Sequence, residues 1–127
     1  MNSEKTFAKK IGDMGEEKAV NFLKSKHYEI IARNFHSRYG EIDIILEKDG
    51  YIVFVEVKTR SVNSIAAPSE WVDMKKQRKL IKTAEYYLLN NESDLQPRFD
   101  VIEIIYDPVT LSIISVEQIE SAFDAEE

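Results

Sequence analysis

The sequence contains no cysteine, which excludes disulfide bonds, thiolate zinc sites and cysteine nucleophiles. It also lacks any apolar run near the ~20 residues of a membrane-spanning helix, and residues 1–15 are too polar for a signal peptide. An apolar content of 43% with 31% charged residues is ordinary for a globular fold and excludes disorder and a collagen-like chain. We therefore expect one cytoplasmic domain spanning residues 1–127, since domains commonly have ~100–150 residues.

Basic residues are in the minority, and the net charge of −6 at first argues against a nucleic-acid partner. Residues 100–127, however, contain eight acids and no lysine or arginine, so the other 99 residues hold all 17 bases against the remaining 15 acids. Acidic segments of this kind are usually solvated chain ends. We therefore expect an acidic C-terminal segment over residues 100–127, and the overall charge does not exclude binding of nucleic acid by the rest.

Hydrophobic spacing predicts two long helices and five strands. The helices are expected over Phe7–Lys26 and Trp71–Asn90, and the strands over His27–Asn34, Glu41–Glu47, Tyr51–Lys58, Phe99–Tyr106 and Leu111–Val116, with a short terminal helix from Glu117. Adjacent strands favour hairpins, and the long helix before Phe99 favours a crossover to a parallel neighbour. The simplest architecture is an α/β fold with a mixed sheet of about five strands flanked by helices.

The dipeptide Asp49-Gly50 predicts a tight hairpin between the two strongest strands, because a type I′ turn needs positive φ at both central residues. With these two residues as the loop, paired residue numbers sum to 99. The register then gives one wholly apolar face made of three pairs: Ile42 with Val57, Ile44 with Val55, and Leu46 with Val53. It also places Asp43 directly opposite Glu56 on the other face.

Directly opposed residues have Cβ atoms roughly 4.5–5.5 Å apart, so Asp43 and Glu56 would bring two carboxylates together, with Lys58 one step along. Opposed like charges are destabilising unless one acid is protonated or a cation lies between them. Magnesium typically takes one or two carboxylates together with phosphate oxygens, and it suits such a pair. A fortuitous, solvated pair of acids is the alternative.

An aspartate on one strand followed by Glu-Val-Lys on the next resembles the metal-binding signature of the PD-(D/E)xK nucleases. More closely, the chain resembles the uncharacterised bacterial YraN family, which is similar to archaeal Holliday junction resolvases. The matching motifs are, in order, Gly12-x-x-Gly15-Glu16-x-x-Ala19, Arg33-Asn34, Gly40-Glu41-Ile42-Asp43, Phe54-Val55-Glu56-Val57-Lys58-Thr59-Arg60 and Arg98-Phe99-Asp100-Val101. The sequence departs from the superfamily pattern at Ile42, where the superfamily name has proline.

This resemblance implies a restriction-endonuclease-like fold and a metal-dependent endonuclease that hydrolyses phosphodiester bonds in DNA, with branched or junction substrates. By position, Asp43 and Glu56 would ligate Mg²⁺ or Mn²⁺, the Val57 carbonyl would be a further ligand, and Glu16 matches an acid near the same metal. Lys58 would orient or activate the attacking water and stabilise the transition state. Two cuts in a symmetric substrate would call for a homodimer. An exposed helix acid is the alternative interpretation of Glu16.

Further candidate residues lie on the second helix and at the end of the Glu-Val-Lys strand. Gln77 matches a polar helix residue found near the lysine in many relatives, although a satisfied core amide explains it equally well. Five bases within eight residues are the densest positive cluster: Lys75, Lys76, Arg78, Lys79 and Lys82. Phosphate contacts supply most sequence-independent affinity, but such a run also forms an ordinary solvated face. Arg60 would overhang the site and clamp phosphate.

Three functions remain open at this point. The first is the magnesium-dependent nuclease acting on structured DNA. The second is a non-catalytic nucleic-acid-binding module on the same scaffold. The third is a protein-interaction domain in which Asp43, Glu56 and Lys58 form only a salt-bridged network.

Overall fold

The computed structural model describes residues 3–64 and 72–125. Within these residues, the elements are α1 Ser3–Ser25, β1 Glu29–Ser37, β2 Gly40–Lys48, β3 Tyr51–Ser61, a 3₁₀ turn Val62–Ser64, α2 Met74–Asn90, β4 Gln96–Tyr106 and β5 Ile113–Phe123. None of the described helices is both long enough and apolar enough to cross a membrane. The predicted order of the main elements is confirmed, although most boundaries shift by a few residues.

The five strands form one mixed sheet in the order β1-β2-β3-β4-β5. Three neighbouring pairs are antiparallel, whereas β3 and β4 are parallel. The parallel pair is connected through α2, as a crossover connection requires. The predicted α/β architecture is therefore confirmed, and it is compatible with a restriction-endonuclease-like fold.

Both faces of the central strands are buried, one under each helix. The face toward α1 packs around Ala19, Val20, Leu23, Ile44, Leu46, Val53, Val55, Ile102 and Ile104. The face toward α2 packs around Ile42, Ile45, Ile52, Phe54, Leu80, Ala84, Phe99 and Val101. Strands covered on both faces have near-continuous apolar runs, and this accounts for the composition of β2, β3 and β4.

Helix α1 approaches β3 closely at one glycine. A Cβ built on Gly15 would lie 1.9 Å from Oγ1 of Thr59, so no larger residue fits there without movement. Glu16 follows directly and is thereby fixed near the end of β3. The close packing also explains why this helix contains a glycine despite its cost of about 1 kcal/mol relative to alanine.

The predicted hairpin register is confirmed from Lys48↔Tyr51 to Ile44↔Val55. Both turn residues have positive φ, as the type I′ turn requires: 51° at Asp49 and 86° at Gly50.

The expectation that Ile42 shares a face with Val57 is wrong, because Ile42 packs under α2 whereas Val57 packs toward α1. The pattern of alternation breaks at Asp43, whose Oδ2 accepts the Val57 N–H at 2.7 Å. Asn34, which lies beside Asp43 on β1, has a left-handed φ of 52°. A side-chain hydrogen bond therefore takes over where the backbone pairing of β2 and β3 stops.

The terminal helix expected from Glu117 is wrong, because β5 continues to Phe123. The ring of Phe123 stacks on Phe99 with centroids 4.9 Å apart, and that contact needs the chain to stay extended along β4. The acidic segment is folded into β4 and β5 over residues 100–123, and its acids differ in exposure: Glu117 and Glu120 are exposed, whereas Asp100 is buried. Asp100 is 1% exposed and receives two hydrogen bonds from Arg98 and one from the backbone of Ser121.

Helix α2 begins at Met74 because Asp73 caps it. The Asp73 side chain accepts the Lys76 N–H at 2.8 Å, which satisfies one of the free donors of the first turn. Trp71, the start predicted from the sequence, lies outside the described residues.

Candidate functional site

The two acids expected to face each other lie where β2 and β3 separate. Asp43 and Glu56 each lie one residue beyond the last backbone pair, Ile44↔Val55. Their carboxyl groups are hydrogen-bonded to each other, and Glu56 is only 8% exposed. The Val57 N–H fixes the Asp43 carboxyl from the strand side. The structure thus brings together the two acids that the hairpin register predicts. Side-chain hydrogen bonds hold them there, because the backbone pairing of β2 and β3 has already ended.

The electrostatics of this pair favour one shared proton. Burial and, after it, the negative charge of Glu56 raise the pKa of Asp43 to about 7, while the hydrogen bond from Val57 lowers it. The charge of Glu16 also raises the pKa of Asp43. At neutral pH Asp43 is therefore near the midpoint of its titration, and a further positive charge beside the pair would favour its ionised form.

Glu16 is held in place by two residues of β1. Its Oε1 accepts hydrogen bonds from Nδ2 of Asn34 at 2.9 Å and from Nη2 of Arg33 at 3.3 Å. The side chain of Glu16 is 15% exposed. The Arg33-Asn34 dipeptide was part of the sequence resemblance, but its role in positioning Glu16 was not foreseen.

A groove opens between α1 and the separating ends of β2 and β3, and we call it the carboxylate groove. Its polar lining includes Glu16, Asn34, Glu41, Asp43 and Lys58. Val57 also lines the groove, whereas Glu56 does not. With Lys9 and Asp13, which pair with each other at its rim, the groove gathers two ammonium groups and four carboxylates on one open surface.

Glu56 is linked to the second helix by an ion pair that the sequence did not reveal. Nζ of Lys76 lies 3.4 Å from Oε2 of Glu56. The two side chains are 41% and 10% exposed respectively, so a half-buried lysine partly neutralises a nearly buried acid. No local sequence signal joins positions 56 and 76, because the contact depends on how α2 packs on the sheet.

The donor set of the groove suits a hard divalent cation. Among residues 3–64 and 72–125, no group of three or more histidine, cysteine or acidic residues is arranged to hold a metal ion. Asp43 and Glu56 nevertheless supply a pair of carboxyl groups that share a proton, and a cation can replace that proton. Magnesium commonly binds one or two carboxylates and completes its shell with water and substrate phosphate. The residues therefore fit Mg²⁺ or Mn²⁺ as a site that substrate would complete.

The structure does not bring Gln77 to the carboxylate groove. Its Nε2 donates to the Val72 carbonyl at 3.1 Å, and it lines a separate groove with Met74 and Ile81. This hydrogen bond agrees with the alternative interpretation of Gln77, in which its amide has a partner within the fold and takes no part in the site.

The predicted phosphate-binding residues differ in their availability. Arg60 donates to Glu103 at 2.8 Å, and the two side chains are only 17% and 15% exposed, so this guanidinium is already paired. Lys76 is engaged with Glu56. The other three predicted phosphate-binding bases of α2 are exposed: Lys75, Arg78 and Lys79.

Comparison with known proteins identifies relatives along most of the chain. The model of the family described as uncharacterised protein family UPF0102 matches residues 15–104. A UPF0102 protein of Caldanaerobacter subterraneus subsp. tengcongensis is 42% identical over 121 residues, which cover 94% of this chain and 99% of the relative. Another, from Persephonella marina, is 45% identical over 89% of this chain and 92% of the relative. A third, from Alkaliphilus oremlandii, is 50% identical over 76% of this chain and 85% of the relative. The chain therefore belongs to the uncharacterised UPF0102 family, the YraN family that its ordered motifs resemble.

Proposed function

We propose that this protein is a metal-dependent endonuclease that hydrolyses phosphodiester bonds in DNA, with branched or junction DNA as its substrate. The observation that supports this proposal is the hydrogen-bonded pair Asp43–Glu56 at the point where β2 and β3 separate, beside Lys58 and Glu16. Burying two acids against each other is costly. A divalent cation bound between the two carboxylates in place of the proton would offset this cost and would be available for catalysis.

Asp43 and Glu56 would hold the Mg²⁺ or Mn²⁺, with the Val57 carbonyl as a further ligand and Glu16 close by. When bound, the ion supplies a Lewis acid that makes a water molecule more acidic and offsets the charge of the phosphate oxygens. The protein fixes this site from two directions. The Val57 N–H orients Asp43, and Lys76 orients Glu56.

Lys58 contributes a positive charge at the same groove. Its ammonium would donate hydrogen bonds to the attacking water or to the phosphate oxygens, where negative charge grows in the transition state. An ammonium group has three N–H donors and no acceptor, so it can contact the water and the phosphate oxygens at once. Glu16, oriented by Arg33 and Asn34, would accept a hydrogen bond from water at the edge of the site. No histidine is needed for this chemistry.

The exposed bases of α2 would provide affinity for the phosphate backbone. Lys75, Arg78 and Lys79 point to solvent, while the acids of residues 100–127 include Asp100, which is buried and paired with Arg98. Each phosphate contact on duplex DNA steepens the dependence of log affinity on log salt by about 0.9. Binding that weakens with salt would therefore accompany cleavage.

The test is a cleavage assay on a four-way junction, a flap, a linear duplex and a single strand with Mg²⁺ or Mn²⁺. Cleavage should disappear with EDTA and fall by at least about 100-fold in Asp43→Asn, Glu56→Gln and Lys58→Met. Glu47→Gln is the matched control, because Glu47 lies on the same strand as Asp43 but at the hairpin end. Failure to cut any substrate, or full activity of Asp43→Asn, would contradict the proposal.

The same assay separates the two other functions. Salt-sensitive binding that persists in EDTA and never yields product would support a non-catalytic nucleic-acid-binding module. Absence of both manganese affinity and nucleic-acid affinity would support a protein-interaction domain. Paired cuts in a symmetric junction would call for a homodimer, which light scattering on the protein with and without DNA would detect.

A further inference from the structure

The turn between β1 and β2 lies against the middle of α2. Gly40 has a φ of 147°, and a Cβ at this position would lie 3.2 Å from Oγ1 of the buried Thr83 and 4.0 Å from Cβ of Lys79. A side chain here would be strained and would press on the helix. The glycine therefore lets the turn rest on α2, and this contact places Tyr39 next to Tyr86.

These two tyrosines form an open aromatic surface with rigid support. Their ring centroids are 5.9 Å apart and the rings are tilted by 58°. The ring of Phe35 packs against Tyr86, with centroids 6.3 Å apart, and edge-on against Tyr87, with centroids 5.2 Å apart. Tyr86 is nevertheless 40% exposed. The rings are thus held by the core while one side faces solvent.

Basic groups surround the exposed rings. The guanidinium of Arg38 lies 5.0 Å from the centroid of Tyr39 and donates to its Oη at 2.8 Å. Lys82 lines the cleft between the two tyrosines together with Glu85, which is the acid of that lining. Lys79 is exposed one turn earlier on α2. The immediate surroundings therefore carry three bases against two acids, Glu85 and the exposed Glu41, and this small positive excess complements a polyanion.

We propose that Arg38, Tyr39, Lys82 and Tyr86, here called the tyrosine platform, bind single-stranded nucleic acid. Bases would stack on the open face of Tyr86, and Arg38 and Lys82 would contact the flanking phosphates. Proteins that bind single strands without sequence preference combine stacking aromatics with a basic surface in this way. The net positive charge favours this occupant over a protein segment.

The platform lies on the α2 side of the turn that precedes β2, and the carboxylate groove opens on the α1 side of the same strand. Tyr39 precedes Asp43 by four residues, which corresponds to about 13 Å of extended chain. That span is about four nucleotides at a stacked rise of 3.4 Å. This step of the inference rests on the proposed nuclease function. It assigns as substrates DNA with a single-stranded segment beside the cleaved bond, such as flaps and splayed arms.

Binding without metal tests the platform independently of cleavage. Fluorescence anisotropy in EDTA would compare an oligo(dT) of about 16 nucleotides, the upper site size of one single-strand-binding fold, with a duplex of equal length. The double variant Tyr39→Ala/Tyr86→Ala should lose at least about tenfold in oligo(dT) affinity, while duplex affinity changes less than about twofold. Tyr86→Phe should retain binding, because the stacking ring remains. Lys82→Gln should lower the salt slope by about 0.7.

Tyr51→Ala is the matched control, since Tyr51 is also an exposed tyrosine beside an arginine but lies at the far end of β3. A folded double variant that binds oligo(dT) within about twofold of the parent would overturn the proposal, and so would a parent that binds no oligo(dT) at low salt. If the double variant does not fold, Tyr86→Trp decides, because oligo(dT) must quench its fluorescence more than it quenches Trp71 alone in the parent.

The outcomes also separate this inference from the nuclease proposal. Metal-dependent cleavage of flaps that is unaffected by the platform substitutions would leave the nuclease standing and refute the platform. Binding that depends on the platform, without any cleavage product in Mg²⁺, would support the platform and refute the nuclease proposal.

Discussion

Replacing Asp43 with asparagine is expected to stabilise the folded protein at neutral and alkaline pH in metal-free buffer. The asparagine oxygen can still accept the Val57 N–H, and its amide can donate to Glu56 in place of the shared proton. The substitution therefore keeps the hydrogen bonds and removes the charge. A structural aspartate in a favourable ion pair would behave in the opposite way.

The magnitude follows from the pKa of Asp43, which the fold raises from 3.8 to about 7. Between these two values the folded state keeps a proton that the unfolded state has lost. The stabilisation from this proton is complete below pH ~4 and disappears as the pH rises through ~7. At 1.36 kcal/mol per pKa unit, the raised pKa lowers the free energy of unfolding by about 4 kcal/mol at pH 8, where both states are ionised, and by less than about 2 kcal/mol at pH 5, where only the unfolded state is ionised. Asp43→Asn should recover these amounts.

Urea unfolding of both proteins in EDTA at these two pH values measures the difference. Asp94→Asn, at an exposed position, is the control and should change little. Added Mn²⁺ should then stabilise the wild type at pH 8, by about 2.7 kcal/mol at 100 times its Kd, but not Asp43→Asn. The reasoning is refuted if Asp43→Asn is less stable than the wild type at pH 8, or if the difference is the same at both pH values.

Four further substitutions test the packing of the fold, each by urea unfolding. Gly15→Ala should destabilise the fold because its Cβ would meet Thr59 of β3. Gly12→Ala is the control: its Cβ would have no atom within 4 Å, so it should stabilise the fold by about 0.5–1 kcal/mol. Equal effects of the two substitutions would contradict the close approach of α1 to β3. Arg98→Leu should cost about 3–5 kcal/mol, since it leaves the buried carboxylate of Asp100 without its cation, and a cost under 1 kcal/mol would show the pair to be dispensable. Asp73→Ala should cost about 1 kcal/mol through loss of the α2 cap, and an unchanged midpoint would exclude that role.

The strand pairing around Asp49-Gly50 could be predicted because all of its determinants are local. The turn dipeptide fixes the loop, and the loop fixes the register as far as Ile44↔Val55. The same register brought Asp43 near Glu56, so their proximity was predictable from the hairpin. Their function as metal ligands stays a prediction, as does that of Lys58.

Errors in the sequence interpretation occurred where a distant segment outweighed the local pattern. Residues from Glu117 read as a helix, yet they extend β5 because Phe123 packs on Phe99. Ile42 fits a regular alternation, yet it turns toward α2 because the Asp43 side chain replaces a backbone partner of β3. In both cases a contact with another element supplied more free energy than the local preference.

What the sequence by itself determined is the order of elements, the hairpin and the two acids that the hairpin juxtaposes, because turn chemistry and hydrophobic periodicity act over a few residues. Only the tertiary structure decided how that pair is held: Lys76 from α2 on Glu56, and Asn34 and Arg33 from β1 on Glu16. These contacts join residues 17 to 20 positions apart, and they exist only because both helices pack onto the same sheet. Helix packing depends on the fit of whole surfaces, so no local spacing in the chain encodes it.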